Sequence, residues 1–69
     1  MKLNIKKIQD RLAQMERRPT WLAQKVGVSD PTVHSWLKGE FMPSYDNLKR
    51  ISEALNLSWR GLVKNNNKK

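Results

Sequence analysis

Two short apolar segments joined through one glycine restrict the fold of this chain more than any other feature. In Leu22-Ala23-x-x-Val26 the larger apolar residues stand one helical turn apart, and Val33-x-x-Trp36 places its own pair on one face in the same way. Ala23 is small where two such helices approach each other. Gly27 ends the first segment, because a helix-terminating residue in the left-handed region is cheapest as glycine, and it turns the chain sharply into the second. The expected product is a pair of helices packed on a shared core. What the second helix leaves exposed is Asp30, Pro31, Thr32, His34, Ser35 and Lys38, a short polar face with little charge.

The rest of the chain divides into helices of similar length. Ile5, Ile8, Leu12 and Met15 step along one helical face, with Asn4 as N-cap and Leu3 and Ile8 at the two positions of a hydrophobic staple. The opposite face carries Lys6, Lys7, Gln9 and Asp10, so it is solvated or faces a polyanion. ERRPT interrupts the pattern, and Pro19 opens a second helix that runs to Val26. Ser29 is the expected cap of a third, with Asp30 and Pro31 in its first turn and Gly39 terminating it after Lys38. EFMPS is a loop, and Ser44 caps a fourth helix with Leu48, Ile51, Ala54 and Leu55 on one face and Asn56 at its left-handed end. Ser58 caps a short fifth helix, and Leu62 and Val63 close the core. No strand pattern or internal repeat is present. The predicted class is all-α, a compact five-helix domain over residues 1–63 with a flexible, basic polar tail over 64–69.

Sixty-nine residues suffice for one small domain, and a chain of this size buries only about 60% of the surface it exposes when unfolded, so a deep cavity is not expected. With no cysteine, neither a disulfide nor a thiolate metal site can supplement the apolar core. A single histidine and no suitably spaced carboxylates leave no nucleophile–base pair and no metal-ligand set, which argues against an enzyme and against a cofactor. No apolar run approaches the roughly 20 residues of a membrane span, and MKLNIKKIQ lacks the uninterrupted apolar stretch of a signal peptide, so the expectation is a cytoplasmic chain. Fourteen Lys and Arg against six Asp and Glu give a formal charge of +8, which favours an anionic partner, nucleic acid being the commonest.

The stretch LAQKVGVSDPTVHSWLKGEFMPS resembles the phage repressor and Cro-like helix-turn-helix family, of the lambda repressor-like fold, and ISEALNLSW resembles that family's fourth-to-fifth-helix segment. The resemblance covers Pro19 to Val63 and rests on the joint spacing of Ala23, Gly27, Val33, Trp36, Gly39 and Pro43. It implies a DNA-binding domain whose third helix enters the major groove, usually as a dimer on a two-fold operator. Carried over by position, the base-reading residues are Asp30, Pro31, Thr32, His34 and Ser35. Thr32 can offer its methyl or hydroxyl, His34 can donate to guanine N7 or O6 or contact a phosphate instead, and Asp30 can accept from cytosine N4 or serve only as a cap. The backbone-contacting positions are Pro19, Thr20 and Trp21 at the start of the second helix and Lys38, Gly39, Phe41, Ser44 and Tyr45 after the third. The chain departs from the family pattern at Arg18, where a polar cap is usual, at Pro19, and at Glu40, where a basic residue is common. Arg17, Arg18 or the lysines of the first helix are the expected compensation for lost phosphate contacts.

Two tryptophans have two readings each. Trp21 is a staple over the third helix or a contact to the DNA backbone; Trp59, with Arg60, is a dimer contact or a cover for the core edge. The resemblance implies a sequence-specific transcriptional regulator, a repressor acting on a double-stranded DNA operator in a bacterial or phage-infected cell, nucleoid-associated. The homodimer it implies is weak or DNA-induced, with no membrane and no small-molecule ligand involved. The alternative is an antitoxin or anti-repressor whose main partner is another protein.

Overall fold

The computed structural model describes residues 2–64. Its elements are β1 (Lys2–Leu3), α1 (Ile5–Gln14), α2 (Pro19–Val26), α3 (Asp30–Leu37), α4 (Tyr45–Leu55), a 3-10 turn (Trp59–Leu62) and β2 (Val63–Lys64). Local chemistry accounts for most of these boundaries. The Asn4 side chain accepts the Lys7 N–H at 3.2 Å to open α1, and Ser44 accepts the Asn47 N–H at 3.2 Å to open α4.

All four α-helices close with one motif, in which a left-handed residue lets two successive N–H groups fold back onto the last carbonyls. The left-handed residues are Glu16, Gly27, Gly39 and Asn56. The bond that spans five residues in each case runs Arg17 to Leu12, Val28 to Ala23, Glu40 to Ser35 and Leu57 to Ser52, at 2.9 to 3.0 Å. Two arginines satisfy further helix-end carbonyls across the fold: Arg11 donates through Nε to Leu55 O at 2.8 Å, and Arg50 donates to Val26 O at 3.3 Å.

The core is one cluster. Leu22, Ala23 and Val26 of α2 meet Val33 and Trp36 of α3, with Ile8 and Leu12 of α1, Leu48, Ile51 and Leu55 of α4, and Leu62 filling the remainder. Helix α2 packs on both α3 and α4, and the 3-10 turn packs on α4 and α1. The two proposed staple residues, Leu3 and Ile8, are both buried. No helix among the described residues is long and apolar enough to cross a membrane.

Three expectations are corrected. The fifth helix is a four-residue 3-10 turn, so the domain has four α-helices: the Gly61 N–H bonds to Ser58 O at 2.9 Å, and Val63 (φ −119°, ψ 145°) is already extended. An antiparallel ribbon is present, pairing Lys2 with Lys64 and Leu3 with Val63, and the Asn4 N–H donates to Leu62 O at 2.6 Å. Two-residue strands are too short to show an alternating pattern, and their pairing joins the two ends of the sequence. The ribbon also takes in Lys64, the first residue assigned to the tail; 65–69 lie outside the described residues. Finally, Ser29 occupies the N-cap of α3 with its carbonyl accepting the Thr32 and Val33 N–H groups, but its side chain makes no cap bond, because the hydroxyl lies 2.9 Å from that of Thr32.

Candidate nucleic-acid interface

Helix α3 divides by side-chain direction. Val33 is 0% and Trp36 4% exposed, so the apolar pair turns inward. Asp30, Pro31 and His34 are exposed, and Thr32 and Ser35 are half-buried on the same helix. The five residues expected to meet bases are therefore all at least partly accessible, within two turns, on a helix held by its core contacts through Val33 and Trp36.

That side is locally ordered. The Thr20 hydroxyl at the start of α2 donates to the Asp30 carboxylate at 3.4 Å, tying the beginnings of the two helices together. His34 Nδ1 lies 2.9 Å from the Asp30 carbonyl oxygen, and the Ser35 hydroxyl donates to Thr32 O at 2.7 Å. Of the two roles open to Asp30, capping has no supporting contact here: its carboxylate faces Thr20.

The flanking residues form two cation–aromatic groups. Trp21 is half-buried, with the Arg17 guanidinium 5.2 Å and the Lys25 ammonium 5.9 Å from its ring centre. Arg17, Arg18 and Thr20 around it are exposed, and Pro19 is half-buried. On the other flank, Tyr45 and the half-buried Trp59 meet edge to face at 5.5 Å, with Lys49 5.7 Å from the Tyr45 ring and Arg60 5.8 Å from the Trp59 ring. A residue expected at the DNA backbone, Tyr45, is thus joined to the pair expected at a dimer contact. Among the described residues no hydrogen bond or aromatic contact links Trp59 or Arg60 to α3.

Lys38, Gly39 and Ser44 are exposed in and around the loop after α3, and Phe41 is 68% exposed. Phe41 borders a shallow groove with Met42, Trp36 and Ile5. At the start of α4 the Ser44 hydroxyl already occupies one N–H, whereas neither α2 nor α3 has a side-chain cap bond.

Sequence reasoning missed Lys25 and Lys49 as members of these groups. The signal was available, since Trp21–Lys25 and Tyr45–Lys49 are both four residues apart on one helix face.

Comparison with known proteins follows the same outline. The sequence profile of the helix-turn-helix family matches residues 20–62. The fold is similar to that of the P22 c2 repressor protein in complex with a synthetic operator, with TM-score 0.82 and 31% identity over 93% of this chain and 97% of that one. It is also similar to the P22 c2 repressor DNA-binding domain in solution, with TM-score 0.77 and 30% identity over 86% of this chain and 78% of that one. A putative DNA-binding protein from Bacteroides fragilis gives TM-score 0.73 and 35% identity over 83% and 92%. No curated protein sequence matches. These neighbours are repressors and DNA-binding proteins, not enzymes. With its profile match, its α2–turn–α3 geometry and these neighbours in agreement, the chain belongs to the helix-turn-helix family.

Proposed function

We propose that the chain is a sequence-specific DNA-binding transcription regulator of the repressor type, which places α3 in the major groove and acts by occupying its operator. The observation that carries this is the division of α3: Val33 and Trp36 anchor it, so Asp30, Pro31, Thr32, His34 and Ser35 are presented as a rigid set. Arg17, Arg18, Pro19, Thr20 and Trp21 on one flank, and Lys38, Gly39, Phe41, Ser44 and Tyr45 on the other, straddle the groove and contact phosphates. The formal charge of +8 supplies the sequence-independent part of the affinity. The P22 c2 repressor is seen bound to an operator, and the likeness in fold supports the same mode here.

Two copies bind a two-fold site, with Trp59 and Arg60 at the contact between them. The edge-to-face packing of Trp59 on Tyr45 supports this arrangement, because a phosphate held at Tyr45 and a partner held at Trp59 would then steady the same pair of rings.

Selection of bound sequences from random duplexes tests the proposal: an enriched inverted repeat is expected, and no enrichment would refute sequence recognition. With about six to eight phosphates neutralised per dimer, affinity should fall roughly a thousandfold or more between about 50 and 200 mM salt. Size-exclusion with and without duplex separates this function from a protein-binding one.

A further inference from the structure

The hydrogen bonds on the exposed side of α3 determine which kind of base edge it can meet. A carbonyl oxygen has no proton, so the 2.9 Å contact between His34 Nδ1 and the Asp30 carbonyl requires that Nδ1 carry the hydrogen and donate. In the neutral ring the other nitrogen, Nε2, is then a bare acceptor. The donor role toward guanine expected from sequence is denied to that tautomer.

The neighbours point the same way. Ser35 spends its only hydroxyl hydrogen on Thr32 O, leaving its oxygen with lone pairs alone. The Asp30 carboxylate only accepts, and Thr20 already donates to it. Ser29 and Thr32 share one hydrogen bond, so a single hydroxyl hydrogen is left between them. In the major groove the donors are the exocyclic amino groups of adenine and cytosine, whereas guanine presents two acceptors.

We propose that α3 presents an acceptor face whose specificity-determining atom is His34 Nε2, and that this atom selects an exocyclic amino group, adenine N6 or cytosine N4, over guanine N7 or O6. The proposal rests on the major-groove placement above, and its test separates the two. Sequences selected by the wild-type chain are compared with those selected by His34→Ala. Discrimination should collapse at one base pair, where the wild type prefers adenine or cytosine on the contacted strand.

At that position, purine in place of adenine, or 2-pyrimidinone in place of cytosine, removes the amino group. This should weaken wild-type binding roughly 3- to 10-fold and leave His34→Ala binding unchanged. Whichever replacement is felt identifies the base. Where that base is cytosine, 7-deazaguanine in place of its paired guanine should be silent. With the ring in its neutral form, nitrogen-15 NMR of the imidazole should show the hydrogen on Nδ1 and a bare Nε2, in the free chain and on DNA.

A neutral ring with its hydrogen on Nε2 in either state, sensitivity to 7-deazaguanine, or an unchanged profile for His34→Ala would overturn the acceptor assignment while leaving DNA recognition intact. A pool with no enriched sequence would instead overturn the major-groove placement itself, and the acceptor assignment with it.

Discussion

Helices α1 and α4 begin differently from α2 and α3, although all four end alike. Asn4 and Ser44 each bond to the backbone of the helix they open, so the scaffold helices are closed at their N-termini by their own side chains. Arg18 and Ser29 make no such bond, and both helices have proline in the first turn. A side-chain cap adds about 1 kcal/mol, so the two helices that form the recognition unit forgo local stability that their neighbours retain. With proline in each first turn and the Trp21, Leu22, Thr32 and Val33 N–H groups bonded to the Arg18 and Ser29 carbonyls, the first-turn N–H groups left over are those of Thr20 in α2 and Asp30 in α3. In this molecule the scaffold pair is capped by its own side chains, whereas α2 and α3 are capped only by the Arg18 and Ser29 carbonyls; under the proposed function, an N–H left over at the start of α2 serves a phosphate.

If α2 and α3 stand on tertiary packing rather than on caps, removing that packing should be the largest perturbation available. Trp36→Ala should cost about 3–5 kcal/mol. A chain of this length holds roughly 3–10 kcal/mol in total, so the variant should lose most or all of its cooperative thermal transition. A cooperative melt within a few degrees of wild type would show that α3 does not depend on its inward face.

The shared helix ends supply the next test. Gly27 has φ 89°, and a Cβ there would meet only Arg50 at an ordinary 3.8 Å, so the cost of Gly27→Ala is backbone strain rather than a clash. About 1–2 kcal/mol of stability should be lost in denaturant unfolding. Glu16 adopts φ 57° at the same position of its own motif, and Glu16→Gly should move stability in the opposite direction by up to about 1 kcal/mol.

Glu16 also marks the limit of what was legible. Gly27, Gly39 and Asn56 announce left-handed ends because glycine and asparagine tolerate that conformation, and Asn4 and Ser44 announce caps because a short polar side chain reaches its own helix. These are local properties, and the helix limits and the inward Val33–Trp36 pair follow from them. A glutamate carries no such signal, and the bonds from Arg17 to Leu12 and Glu16 to Ala13 reveal its role only in the fold. The ribbon and the bonds from Arg11 to Leu55 and Arg50 to Val26 join residues far apart in sequence, where a periodic pattern has no reach. At the candidate site the residue types on α3 could be placed from sequence. The direction of their hydrogen bonds could not, because it depends on which hydroxyl, carbonyl or ring nitrogen is already engaged.

A smaller effect tests the capped half of the contrast. Ser44→Ala removes the acceptor for the Asn47 N–H and should destabilise the domain by about 1 kcal/mol, read as a lowered melting temperature. The N–H it frees lies at a proposed phosphate contact, so DNA affinity per folded molecule should hold or rise slightly. A fall in affinity larger than the change in folded fraction would mean that the Ser44 hydroxyl itself meets the phosphate.

The smallest change tests the open half, and it needs a pair of variants because Arg18 carries charge as well as occupying the N-cap. Arg18→Ala removes the charge and supplies no acceptor; Arg18→Ser removes the same charge and installs a cap before Pro19. Arg18→Ser should be the more stable by about 0.5–1 kcal/mol. Both should bind DNA more weakly than wild type, with the loss of one cation lowering the salt slope by about one. If the open end of α2 serves a phosphate, Arg18→Ser should bind more weakly than Arg18→Ala in spite of being the better folded, because its hydroxyl competes for the N–H that the phosphate would use. Equal affinities would mean that α2 is uncapped for some reason other than DNA, and the contrast between the two helix pairs would then describe stability alone.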